Sequence, residues 1–500
     1  MAAFDADAYR RRAERFLGEL DLEHYRHYAG LKADCDFSSI YGRYPDLFTR
    51  ETVDTLQGLY LEAVDDDARR RASYLLNFAT DGFLGEATKE LSDEIANFEG
   101  RATIEVDGEE IGYRYSSVVQ ANEADAGRRR RIYEARLRLT GDALNPRYEE
   151  RWRVLHDLVR ELGYTDYREL YSQAQGVDFG LLRAEMETFL QETEGLYQRT
   201  LDRVVRDKLG FGREELHIAD LPFLIRAPEY DHVFTQDALL PTFARVLADM
   251  GVDLGAQTNV HVDAEARELK SPRAFCSPVR VPDEIYLVVM PKGGQDDYQA
   301  LLHEGGHTEH FAHTRPDLPF EYRYLGDNAV TEGFAFILDH LVLNARWLET
   351  YLDYADSQGF LKFAYLVELY FLRRYAGKLA YETELHVQEG PLGHMAERYH
   401  ALLSGAIQVD TPAANFLVDV DDGFYAAHYV RAWMLEGAFR MLLQDRFGIE
   451  WFREPEAAAW LKQLWSHGQA FTADQLLLKN GGGRLDTGPL RLHLERVLGR

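Results

Sequence analysis

Apolar residues recur at three- and four-residue spacing along most of the chain, with charged residues between them, which is the pattern of helices that bury one face. This spacing predicts helices over residues 6–30, 51–98, 120–140, 146–172 and 178–209. Further helices are predicted near 235–250, 296–313, 329–346, 358–388, 391–404, 422–446, 455–466 and 489–498. Strand-like runs are few. One predicted hairpin has Thr103–Val106 and Ile111–Tyr115 flanking the turn dipeptide Asp107-Gly108. A second strand, Ile285–Met290, is ended by Pro291-Lys292-Gly293-Gly294 before Asp296-Asp297 open a helix. The expected fold is therefore mainly α, with a small β-element beside the helix over 296–313. A boundary near residue 210 divides the expected chain into a helical N-terminal lobe, 1–210, and a second lobe, 211–500.

The helix over 296–313 carries the chemistry. His303-Glu304-Gly305-Gly306-His307 puts two imidazoles one turn apart on one face, with Glu304 about 100° around the helix. Both rings can then bind one metal ion, and Glu304 stands where it can take a proton from a water molecule. Two glycines in a helix interior cost about 1 kcal/mol each against alanine, so their presence implies that another group approaches the backbone there. Catalytic zinc takes three protein ligands, and the sequence offers two candidates for the third. Glu332 lies in the first turns of the apolar helix that starts at Asp327-Asn328, where an unpaired acid is costly to bury. His313 has metzincin-like spacing, but His310 occupies the place of the glycine that lets a metzincin helix end sharply. On an unbroken helix His313 points away from the pair, so His310 and His313 are expected as polar residues of a cleft wall or surface.

These residues resemble the thimet oligopeptidase and oligoendopeptidase F family of gluzincins, which carry His-Glu-x-x-His on one helix and a glutamate on the next, matching His303, Glu304, His307 and Glu332. The likeness extends to Arg273-Ala274-Phe275-Cys276-Ser277 and to the run from Gly423 to Trp433, which is tyrosine-rich in the family. It implies a two-lobed helical metallopeptidase with a deep channel for short peptides, one zinc ion per chain, and a hydrogen-bond donor facing the scissile carbonyl. The chain departs from the family pattern at His428 and Arg431, where tyrosines are usual, and an upstream family histidine is missing near Asp419. Candidate donors are Tyr429, His428 and Tyr425, in that order. Arg431 is a candidate for binding a substrate carboxylate, or alternatively a structural acid.

Composition narrows the remaining choices. A net charge of −28 argues against nucleic acid as a partner. No apolar run approaches the length of a membrane helix, and no targeting segment is visible in Met1-Ala2-Ala3-Phe4. Only Cys35 and Cys276 are present, which fits a cytoplasmic protein without a disulfide framework; Cys276 is expected as a small buried residue rather than a reactive thiol. The oligomeric state stays open. The expected activity is zinc-dependent hydrolysis of short peptides, with two alternatives: a metzincin-like protease using His313, or an inactive zinc-containing peptide-binding protein.

Overall fold

The computed structural model describes residues 4–499, and the fold is mainly α, with two small sheets among the described residues. Aspartates set many helix starts, and this is where observed and predicted helices differ. Asp65 Oδ1 accepts from Ala68 N–H at 2.8 Å, Asp125 Oδ1 from Arg128 N–H at 2.5 Å, and Asp166 Oδ1 from Glu169 N–H at 2.7 Å. Each cap begins a new helix inside a predicted one. The 51–98 segment divides into Arg50–Glu62 and Asp66–Arg101, and 146–172 divides into Asn145–Glu161 and Tyr167–Gln175. The 120–140 segment contains the end of Tyr113–Asn122 and then Ala126–Leu139. A short carboxylate that bonds the backbone three residues on competes with helix continuation, and periodicity alone does not register that competition.

The hairpin forms as β1, Thr103–Val106, and β2, Glu109–Gly112, paired antiparallel. Asp107 and Gly108 have φ of 57° and 80°, the conformation of a tight primed turn. Tyr113–Tyr115, predicted as strand, instead open the helix Tyr113–Asn122, and Tyr113 packs with Ile104, Val106, Ile111 and Ile132. The second sheet has three strands: β3, Val260–Asp263; β4, Phe275–Arg280; and β5, Glu284–Val288. Their order is β3-β5-β4, with β3 parallel and β4 antiparallel to the central β5. Ser277 Oγ on β4 donates to the Asp21 carbonyl at 2.8 Å, which ties the strand to the helix Ala6–Tyr28.

The chain forms two compact units, and neither is continuous in sequence. One comprises Met1–Phe83, Glu229–Leu361 and Arg431–Leu490; the other comprises Leu84–Pro228, Lys362–Val430 and Arg491–Arg500. A single boundary near residue 210 is therefore not where these units divide. The chain passes between them five times, once at Pro228–Glu229 in a single 3-10 turn and four times inside the helices Asp66–Arg101, Gln358–Leu385, Tyr425–Phe447 and Gly488–Leu498. A crossing within a helix leaves no linker composition to read. Among the described residues, no helix is long and apolar enough to cross a membrane.

In the first unit the helix Gln295–His313 packs against Asn328–Asp339. A Cβ at Gly306 would lie 2.5 Å from Ala335 Cα and 2.8 Å from the Phe334 carbonyl oxygen, so the two backbones touch where glycine permits it. A Cβ at Gly305 would lie 2.5 Å from the Phe243 ring, on the helix Gln236–Asp249. Both glycines thus meet the close neighbours their cost implies. Gly306→Ala is expected to destabilise the protein by about 1–3 kcal/mol, since neither backbone has a rotamer to yield. Urea unfolding measures this, and an unchanged midpoint would contradict the close packing.

Candidate metal centre

The donors converge from these two helices. His303 Nε2 lies 3.3 Å from Glu332 Oε2, and His307 Nε2 lies 3.8 Å from the same oxygen. The ligand atoms of His303, His307 and Glu332 all lie within 4.8 Å of one another. Three donors at roughly 2.0–2.1 Å from one tetrahedral ion are about 3.3 Å apart, so this triangle fits zinc with little adjustment. Two imidazoles and one carboxylate are also a donor set that favours zinc over harder cations.

The surrounding groups orient the triangle. His303 Nδ1 lies 2.9 Å from Asp339 Oδ2, a carboxylate two turns beyond Glu332 on the same helix. Burial disfavours charge on His303, but Asp339 and Glu332 outweigh it and raise the ring to about 10. The ring thus stands between two carboxylates, Asp339 at its Nδ1 and Glu332 at its Nε2. His307 is pushed the other way, down to about 3, chiefly by burial and then by the neighbouring His303 charge. Its Nδ1 lies 2.9 Å from Thr331 Oγ1.

Glu304 sits beside the triad. Its Oε2 accepts the Cys276 backbone N–H of β4 at 2.8 Å, which fixes the carboxyl's rotation and links it to an edge strand. Burial pushes the carboxyl up to about 7, against the pull of His303 and of the Cys276 N–H. A carboxyl poised near neutrality can both take and return a proton. Cys276 is half-buried rather than fully buried, and desolvation raises its thiol, which does not favour a nucleophile.

Several candidates take other positions. The helix continues unbroken to His313, whose Nδ1 lies 2.9 Å from the Glu309 carbonyl oxygen and 3.3 Å from Glu309 Oε2. His313 is thus no part of the donor triangle, and the metzincin-like arrangement finds no support. His310, expected on a cleft wall or surface, is fully buried, because its helix face packs inward against the ring of Phe334. Arg431 is committed to a structural acid: its Nη1 and Nη2 donate to Asp327 Oδ1 and Oδ2 at 2.8 and 2.6 Å, and Nη2 also meets Asp474 at 3.1 Å. Asp327 caps the glutamate helix through Ala329 N–H at 3.1 Å, so Arg431 holds the start of the helix that carries Glu332 and is not a substrate-binding residue here.

Tyr425, His428 and Tyr429 belong to the second unit, at the start of the helix Tyr425–Phe447. Tyr425 packs 5.6 Å from His428 and 5.1 Å from Tyr429, and Tyr429 lies 5.2 Å from Tyr375, measured between ring centroids. Asp419 is taken up in the same unit by Arg374 at 2.5 Å and the Tyr399 hydroxyl at 2.7 Å.

Sequence reasoning missed Asp339 and Thr331. Asp339 was legible, since seven residues from Glu332 returns to the same helix face, but beside His340 it reads as a mere interruption of an apolar run. Thr331 carried no separable signal. No protein-family model matches the chain, and no curated protein matches it. Asp339→Ala is expected to lower zinc affinity 10- to 100-fold while leaving the fold intact. Chelator competition measures it, and wild-type affinity in the variant would show that Asp339 does not orient His303.

Proposed function

We propose that this protein is a zinc metallopeptidase that hydrolyses short peptides in the cytoplasm, a distant relative of the thimet oligopeptidase and oligoendopeptidase F group. The observation that carries this reading is the donor triangle of His303, His307 and Glu332, with the Glu304 carboxyl held beside it. A purely structural zinc site has no use for such a carboxyl.

Bound zinc supplies Lewis acidity, which polarises the scissile carbonyl and acidifies water. Glu304 accepts the proton of the attacking water and returns it to the departing amine, from a carboxyl whose rotation is fixed by the Cys276 backbone N–H. His303 keeps its orientation through Asp339, and His307 through Thr331. For the developing oxyanion the sequence offers Tyr429 first, then His428 and Tyr425, and one well-placed donor contributes about 2.7–4 kcal/mol.

A digest of mixed 5- to 20-residue peptides, read by mass spectrometry for wild type and Glu304→Gln, tests the proposal. Wild type is expected to cleave, and Glu304→Gln to retain zinc while losing at least about 100-fold in rate. Equal cleavage by both proteins, or none by zinc-loaded wild type, would overturn it.

A further inference from the structure

His310 is a fully buried imidazole with both nitrogens placed against polar partners, and the proposed reaction makes no use of it. Its Nε2 lies 3.2 Å from the Gly468 carbonyl oxygen, and its Nδ1 lies 3.1 Å from Thr331 Oγ1. The same hydroxyl lies 2.9 Å from Nδ1 of His307. These contacts form one continuous path from a backbone carbonyl to a metal ligand.

The carbonyl end gives the path a direction. A carbonyl oxygen only accepts, so the proton of His310 lies on Nε2, and the Nδ1 of a neutral ring is then an acceptor. Burial keeps His310 neutral, with its pKa lowered to about 4. Thr331 has a single hydroxyl proton, which it must donate to His310 Nδ1. Its oxygen is left to accept, and the partner that can donate to it is His307 Nδ1–H. His307 Nε2 is then without a proton and turned toward Glu332.

We propose that Gly468, His310 and Thr331 form a positioning chain that holds His307 in its Nδ1–H tautomer, with Nε2 presented to the metal. The inference rests on the zinc reading above and adds residues to it. The carbonyl that sets the direction is itself pinned. Gly468 has φ of 54°, and a Cβ there would lie 2.4 Å from the Tyr322 carbonyl oxygen, which also accepts Gln469 N–H at 2.8 Å. The two histidine ligands are thereby oriented in different ways. His303 is held by a carboxylate, whereas His307 is held by a chain with no net charge. Three acids, Glu304, Glu332 and Asp339, already share the site, and a fourth would add repulsion among them. A neutral chain orients the second ring without that cost.

The test is a zinc-affinity cycle by chelator competition on the full-length protein, with Thr331→Val, Thr331→Ser, His310→Phe and the Thr331→Val/His310→Phe double variant. Thr331→Val is expected to lose 10- to 100-fold in affinity, and Thr331→Ser to stay within about threefold of wild type. The double variant is expected to bind no more weakly than Thr331→Val, because a broken chain cannot be broken again. Equal losses for Val and Ser at 331, or losses that multiply in the double variant, would overturn the chain. Nitrogen-15 spectra of the histidine rings in metal-free protein give a readout that does not depend on zinc, with His307 assigned by its substitution. Wild type should show the Nδ1–H tautomer, and Thr331→Val should lose it. An Nε2–H tautomer in wild type that binds zinc would overturn the chain alone. The Nδ1–H tautomer in wild type that holds no zinc would instead overturn the metallopeptidase reading and leave the chain standing.

Discussion

The contact on which the rest depends is the near-touching of two helix backbones at Gly306 and Ala335. One helix supplies His303, Glu304 and His307, and the other supplies Thr331, Glu332 and Asp339. A side chain at position 306 would drive the helices apart, and a donor set whose members must stand about 3.3 Å from one another does not tolerate such a shift. The helix penalty of Gly305-Gly306 is thus offset by packing and by the site it allows. The second helix is also held at its start, where the buried Arg431 bonds both oxygens of the capping Asp327. That anchorage fixes the glutamate's helix at a point about one turn from the glutamate itself.

Electrostatics then divide the labour among like groups. Glu332, Asp339 and Glu304 are all carboxylates, yet their partners differ. Glu332 faces both imidazoles, Asp339 holds the outer nitrogen of one of them, and Glu304 is tied to the backbone of an edge strand. Burial raises both Glu304, to about 7, and Asp339, to about 6, but Asp339 is committed to an imidazole nitrogen, and Glu304 is the one whose proposed task is to move a proton. The two histidines separate in the same way, one lifted by its acids and the other lowered by burial. Environment assigns the roles, where residue type alone would leave them interchangeable.

Much of this was legible in the sequence because it follows from periodicity. The helical class, the Asp107-Gly108 hairpin, the strand before the histidine helix and the placing of Glu332 on the next helix all follow from local spacing. What was not legible depends on the third dimension. Helix breaks at Asp65, Asp125 and Asp166 arise from side chains competing for backbone donors, and four of the five unit boundaries fall inside long helices. The inward burial of His310 and the pairing of Arg431 with Asp327 required knowing which faces meet. Strand β3 is four residues long and gains its identity from pairing with β5.

The central claim is that one zinc ion is held by two imidazoles and one carboxylate. X-ray absorption at the zinc edge of the purified full-length protein tests it most directly. The predicted result is one zinc per chain, with a nitrogen and oxygen shell at roughly 2.0–2.1 Å and outer-shell scattering from two imidazole rings. A third imidazole, a sulfur at roughly 2.3 Å, or a shell of oxygens alone would contradict it.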